Sequence, residues 1–268
     1  MLRRHPISIY FALTFVISWA AMAIAVGEGG FPVAPEQAAQ IGGAALLGPT
    51  IAGLVMTGVC GGRAGLRDLL ARLLRWRVAG RWYAVALLTA PLTAFAVLML
   101  LTLRSPEFSP AILSAPEPLT FLLSGLAAGL AVGLFEELGW TAFAIPRMLA
   151  RRGPLGVGLL LGILWGLWHL PMFWEADSFA GGLPLALLMA RLFAWLPPYR
   201  ALMAWVYAGC ESLLVVVLMH VSLVTSLMCI EPALSREGVL TYVLVRGAVL
   251  WVLVGGIAAV RRRARSRR

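Results

Sequence analysis

Two adjacent carboxylates, Glu136 and Glu137, end an apolar run, and a histidine, His169, lies inside the next one. A second intramembrane-type histidine, His220, follows in LLVVVLMHVSLVTS. The chain holds 3 histidines in all, so two of the three sit where hydrocarbon or protein core is expected. Ionisable groups at such depth are costly and commonly functional. A carboxyl in an apolar site makes a good general base near neutral pH, and an imidazole can pass or donate a proton. Adjacent helical residues point roughly 100° apart, so only one glutamate can aim squarely at a given point. Trp165, one turn before His169, walls one side of its imidazole if that stretch is helical. Two chemistries fit these residue types. One Glu and two His could hold a divalent ion such as zinc, with the other carboxylate as base. Alternatively Glu136 is the base, His169 assists, and His220 donates to a developing oxyanion. No HExxH motif is present, and spacing leaves both open.

These residues must be positioned by the elements around them. Of 268 residues, 61% are hydrophobic and 13% charged. An ordinary soluble domain carries roughly 25% charged residues. The composition predicts an all-α polytopic membrane helix bundle of about eight transmembrane helices plus one amphipathic surface helix. All 22 basic residues are arginine, giving a net charge of +10. The arginines fall in short clusters between apolar runs, the topological bias of membrane proteins, and nucleic acid is not an expected partner. The 3 cysteines form no CxxC pair and imply neither a metal nor a disulfide framework.

Candidate spans are Ile7–Val26, Gly42–Cys60, Trp82–Leu103, Pro118–Leu138 (extending toward Leu149), Pro154–Phe173, Leu183–Tyr207, Glu211–Cys229 and Gly238–Val260. The first is long for a cleaved signal sequence and reads as a retained span. Residues 63–78 place Leu66, Leu69, Leu70, Leu73 and Leu74 at helical spacing among arginines. They predict an interfacial helix with its arginines toward anionic lipid headgroups. Pro197-Pro198-Tyr199-Arg200 should kink or split the sixth span. Basic segments (the N-terminus, 61–81, 147–152, and the tail at 261–268) alternate with basic-poor ones (27–41, 105–117, 174–182, 229–238). That pattern predicts a single integral domain in the cell membrane with both termini cytoplasmic. Arg246, inside the eighth span, either snorkels or pairs with an acid in the bundle.

Three ordered motifs carry a resemblance over 118–228. They are EELGW with a following aromatic and Pro-Arg (Glu136 to Trp140, Phe143, Pro146-Arg147), WGLWHLPMF (Trp165 to Phe173) and HVS (His220 to Ser222). The chain resembles the CPBP family, which includes CAAX prenyl proteases and bacteriocin-processing or immunity proteins, also called ABI proteins. That resemblance implies an intramembrane glutamic endopeptidase with Glu136 as water-activating base, Glu137 beside it, His169 assisting and His220 as oxyanion donor. It implies no cofactor. Two positions depart from the family pattern. Arg usually stands five residues after the first glutamate, where this chain has Thr141, leaving Glu137 either protonated or partnered by Arg246. Asn often stands four residues after the last histidine, where this chain has Val224. Valine cannot donate, and Ser222 and Thr225 are the nearby hydroxyls. One lost oxyanion donor costs on the order of 10²–10³ in rate.

The expected function is hydrolysis of a peptide bond in a membrane-associated or lipidated peptide. A non-enzymatic scaffold or self-immunity protein retaining the fold is the alternative. A proton-coupled transporter would share the buried acids, but the chain lacks the paired repeats that transporters often show.

Overall fold

The computed structural model describes residues 4–266; Arg3 and the last two arginines lie outside them. The chain is an all-α polytopic membrane bundle, with no strand among the described residues. Its helices are α1 (Pro6–Val26), α2 (Ala38–Ala45), α3 (Leu47–Leu73), α4 (Gly80–Thr102), α5 (Pro118–Gly139), α6 (Ile145–Leu149), α7 (Pro154–Trp168), α8 (Leu170–Phe173), α9 (Gly182–Phe193), α10 (Leu196–Cys210), α11 (Leu213–Cys229) and α12 (Arg236–Ser266). Five segments are long and apolar enough to cross a membrane: 6–29, 38–73, 80–102, 118–149 and 236–263. Helices α7 and α11 are apolar but shorter. Large side chains such as Val16, Leu92, Leu100 and Val252 face outward, as a surface solvated by lipid tails allows.

Several boundaries differ from expectation, each for a local reason. The fifth span is not one helix: α7 ends at Trp168, His169 caps it, and Pro171 opens the short α8. The sixth span divides as the prolines require. Its break falls at Ala194–Trp195, which leaves Pro197 and Pro198 in the first turn of α10, where a missing N–H costs little. The surface helix expected over 63–78 ends at Leu73 and is joined to the second span through a kink at Gly62 (φ 58°, ψ −150°). A left-handed φ of this kind is tolerated by glycine without steric cost. Beyond the kink, Leu69 packs into the bundle, while Leu66, Leu70 and Leu74 stay exposed as one apolar stripe.

Two glycine series hold the centre together. On α5, Gly125, Gly129 and Gly133 lie against α11. A Cβ at Gly129 would come 2.7 Å from the Val221 carbonyl oxygen, and one at Gly133 would come 3.1 Å from that of Val217. On α7, Gly158, Gly162 and Gly166 do the same toward α10 and the end of α9. Added Cβ atoms there would meet Ala201 Cα at 2.3 Å, Pro197 Cα at 2.4 Å and the Leu192 carbonyl oxygen at 2.3 Å. Spacing of four places each series on one helix face. Small residues in such a row let two backbones approach closely in lipid, where packing rather than water exclusion drives association.

Candidate active site

The α5–α11 pair carries Glu136, Glu137 and His220, while the α7–α10 pair carries Trp165, His169 at its end, and Arg200. The motif on α5 does not continue as a regular helix. Residues Trp140–Ala144 form a π turn, a feature often found at functional sites. Two arginines cap its carbonyls. Arg72 Nη1 donates to the Ala142 oxygen at 3.1 Å, and Arg147 Nη1 donates to the Phe143 oxygen at 2.9 Å. Arg72 is itself fixed by Asp68 (2.9 Å) and the Tyr207 hydroxyl (2.8 Å), so the surface helix braces the turn. Tyr10 of α1 packs against Trp140 and Phe143 from the other side.

The two glutamates have unequal surroundings. Glu137 is fully buried and surrounded by donors. Arg200 Nη1 reaches both of its oxygens (2.7 and 2.9 Å), His220 Nδ1 lies 2.7 Å from Oε1, and the Thr141 hydroxyl donates to Oε2. Glu136, also buried, accepts from the Trp165 indole N–H at 2.7 Å through Oε2. A carboxylate offers about four lone-pair sites. Those of Glu137 are occupied by structural donors, whereas Glu136 keeps Oε1 available.

Trp165 is the hub. Its N–H holds Glu136, and its main-chain oxygen lies 2.7 Å from His169 Nδ1. Its ring lies 4.1 Å from the Arg200 guanidinium carbon, and it meets His169 and His220 edge to face at 5.1 and 5.5 Å. An Nδ1–H donated to a carbonyl leaves the His169 Nε2 as a proton acceptor. Phe173 stacks on the outer face of that imidazole at 5.5 Å.

The structure therefore brings Glu136, Glu137, Thr141, Trp165 and His220 into one cluster, with His169 beside it. It does not bring in the other two hydroxyls. Ser222 donates to the Leu87 oxygen on α4 (2.8 Å), and Thr225 donates to the Gly125 oxygen on α5 (3.2 Å), so both serve helix packing. Arg246 is not the partner of Glu137. It pairs with Glu231 at the far side of α10, which corrects the expected substitution. The cation beside Glu137 is Arg200, which sequence reasoning passed over as part of a proline break. Its signal was available: an arginine inside an otherwise apolar stretch is the kind of residue that needs a partner. No group of three or more His, Cys, Asp or Glu side chains suited to a metal occurs among the described residues.

A polytopic helical membrane protein with a buried Glu/His/Arg centre is the class this geometry defines. Residues 118–225 match the family model described as type II CAAX prenyl endopeptidase Rce1-like. Over 62 residues the chain is 36% identical to CAAX prenyl protease 2 of Methanococcus maripaludis, covering 23% of this chain and 21% of that protein. The match thus spans about a fifth of that relative's length. Together the two similarities support the assignment of this region to the CPBP family, and the resemblance carried by the three motifs is borne out.

Proposed function

We propose that this chain is an intramembrane endopeptidase of the CAAX-protease type, cleaving a membrane-associated or lipidated peptide with water activated by Glu136. The observation that carries the reading is the inequality of the two carboxylates. Glu137 is occupied by Arg200, His220 and Thr141, while Glu136 has Trp165 as its one printed donor and a free oxygen to take a proton. Glu136 removes a proton from water, and His169, its Nε2 unprotonated, accepts or relays it. The hydroxide attacks the scissile carbonyl carbon, and the proton passes to the leaving amine. His220, held by Glu137 through Nδ1, presents Nε2 toward the developing oxyanion. That role requires the imidazolium, which an ionised Glu137 favours. Arg200 adds positive charge to the same side and replaces the arginine that position 141 lacks. The similarity to a relative named CAAX prenyl protease 2 supports the substrate class. The catalytic residues need no cofactor in this scheme. Both termini lie in the cytoplasm, and the protein resides in the cell membrane.

The test is cleavage of a membrane-anchored peptide reporter by the full chain and by Glu136→Gln and His169→Ala. Loss of a general base lowers rates by roughly 10²–10⁴-fold. Both variants should lose cleavage by that order while reaching the membrane at parental levels. Full cleavage in both would remove the assignment. Inactivation by a chelator with recovery on adding zinc would move the chemistry to a metal instead.

A further inference from the structure

A second polar cluster lies outside the centre just described. A cleft of about 460 Å³ opens between α8, α9, α11 and α12, with Arg191, Arg246 and Glu231 in a wall otherwise built from Phe173, Trp195, Leu227 and neighbouring valines. Arg246 is fully buried, and its Nη1 donates to Glu231, which also accepts from the Tyr242 hydroxyl at 2.9 Å. Its Nε and Nη2 have no acceptor among the described residues. These two donors form one edge of the guanidinium plane, the edge that takes a carboxylate in a two-bond fork. An orphaned pair of charged donors in a core is costly, and its retention calls for a ligand.

The cleft adjoins the catalytic cluster. Phe173, in its wall, stacks on His169 at 5.5 Å. Trp195, also in the wall, lies 6.5 Å from Trp165 and 5.2 Å from the Arg246 guanidinium carbon. A few extended peptide residues, at roughly 3.4 Å each, span such a path. Two arginines against one glutamate leave the wall with an excess of positive charge, suited to one anion. Depth favours a peptide over a lipid headgroup: Arg246 stands about 15 Å along α12 from Arg236, at 1.5 Å per residue, within the apolar span.

We infer that this cleft is a substrate subsite in which Arg246 grips the free C-terminal carboxylate of the peptide, with apolar side chains just before it against Phe173, Trp195 and Leu227. The identity of the ligand rests on the endopeptidase reading. The site does not depend on catalysis, so the test is direct binding to full-length Glu136→Gln protein in nanodiscs of phosphatidylcholine and phosphatidylethanolamine. The probes are a fluorescent, leucine- and valine-rich peptide ending in a free carboxylate and its twin ending in a carboxamide. The acid should bind at least about tenfold more tightly than the amide. Adding Glu231→Gln with Arg246→Gln, which removes both charges together, should bring the twins to within about twofold while leaving amide binding in place. Should that variant fail to fold, Arg246→Lys keeps the pairing with Glu231 but lacks the two-donor edge, and it should also lose most of the preference. Equal binding of the twins to the Glu136→Gln protein overturns the proposal, as does a preference that survives at a folded Arg246 variant. Abolition of the preference by phosphatidylglycerol would hand the site to lipid and overturn it too. A preference for the acid in a chain whose parent cleaves nothing would instead sink the proposed function and leave the subsite standing.

Discussion

At the scale of single residues, Arg200 decides how the paired glutamates divide their work. Its Nη1 bridges both oxygens of Glu137, its plane rests on Trp165, and its side chain is fully enclosed. Removing one member of a buried ion pair strands the other charge, typically at a cost of about 3–5 kcal/mol. Arg200→Met should therefore lower thermal stability by that order, read from melting of the detergent-solubilised protein. Arg200→Met combined with Glu137→Gln should recover much of the loss, since no bare charge is left inside. Additive losses in the double variant would mean that the two side chains are not coupled. Glu136, Glu137, His169 and His220 could be singled out from the chain alone because a titratable side chain amid leucine and valine has few bland explanations. Arg200 could not, because the prolines before it gave its segment a sufficient reading as a break. The partner of Glu137 also lies 63 positions away, on a helix whose docking no local pattern specifies.

At the scale of elements, the glycine rows set the distances between helices. Gly158→Ala puts a methyl 2.3 Å from Ala201 Cα, and because the obstacle is backbone, the helix pair must separate. Overpacking of this kind costs roughly 1–3 kcal/mol. The variant should melt earlier and cleave more slowly, because Trp165 and Arg200 ride on the two helices being pushed apart. Gly156→Ala, with nothing within 4 Å, is the control and should behave as the parent. The loop 174–181 has its own tether. Arg236 binds Asp177 and, at 2.9 Å, Glu175, which also accepts from Arg191 at 2.6 Å. The hydrogen bond and charge of Arg236 hold the exposed Asp177 carboxyl below its ordinary value of 3.8. A lowered folded-state pKa contributes stability that is present above the unfolded value and lost as pH falls through the folded one. Protease nicking of this loop should thus rise below about pH 4 in the parent, while Asp177→Asn should be nicked readily at neutral pH as well. A parental loop indifferent to acid would refute the tether. The spans themselves were legible from apolar runs and arginine clusters, and the split of the sixth from its prolines. The π turn was not, since an i to i+5 ladder leaves no mark in composition. The glycine spacing is visible in the chain, but which helix each row would meet is not.

At the scale of the whole molecule, the arginine distribution orients the bundle. The expected arrangement puts the tail and the kinked surface helix on one side, and the loop holding Asp177 on the other. Single cysteines at Ser266 and Ser178, in a chain freed of Cys60, Cys210 and Cys229, test it with an impermeant thiol reagent on intact cells. Ser178→Cys should be labelled from outside and Ser266→Cys only after permeabilisation. Labelling of both from one side would reverse or break the topology. Folding as eight spans was readable because hydrophobic thickness imposes length on each crossing. The inward kinks were not, as they answer to tertiary partners.

The two tightly joined helix pairs carry a mechanical consequence. Glu136, Glu137 and His220 belong to one half, and Trp165, His169 and Arg200 to the other, so the reacting groups meet across a seam. Sliding one half past the other would disarm the enzyme without melting either. Turnover should accordingly track bilayer thickness more steeply than melting temperature does, making the surrounding lipid a throttle on when this cleaver fires.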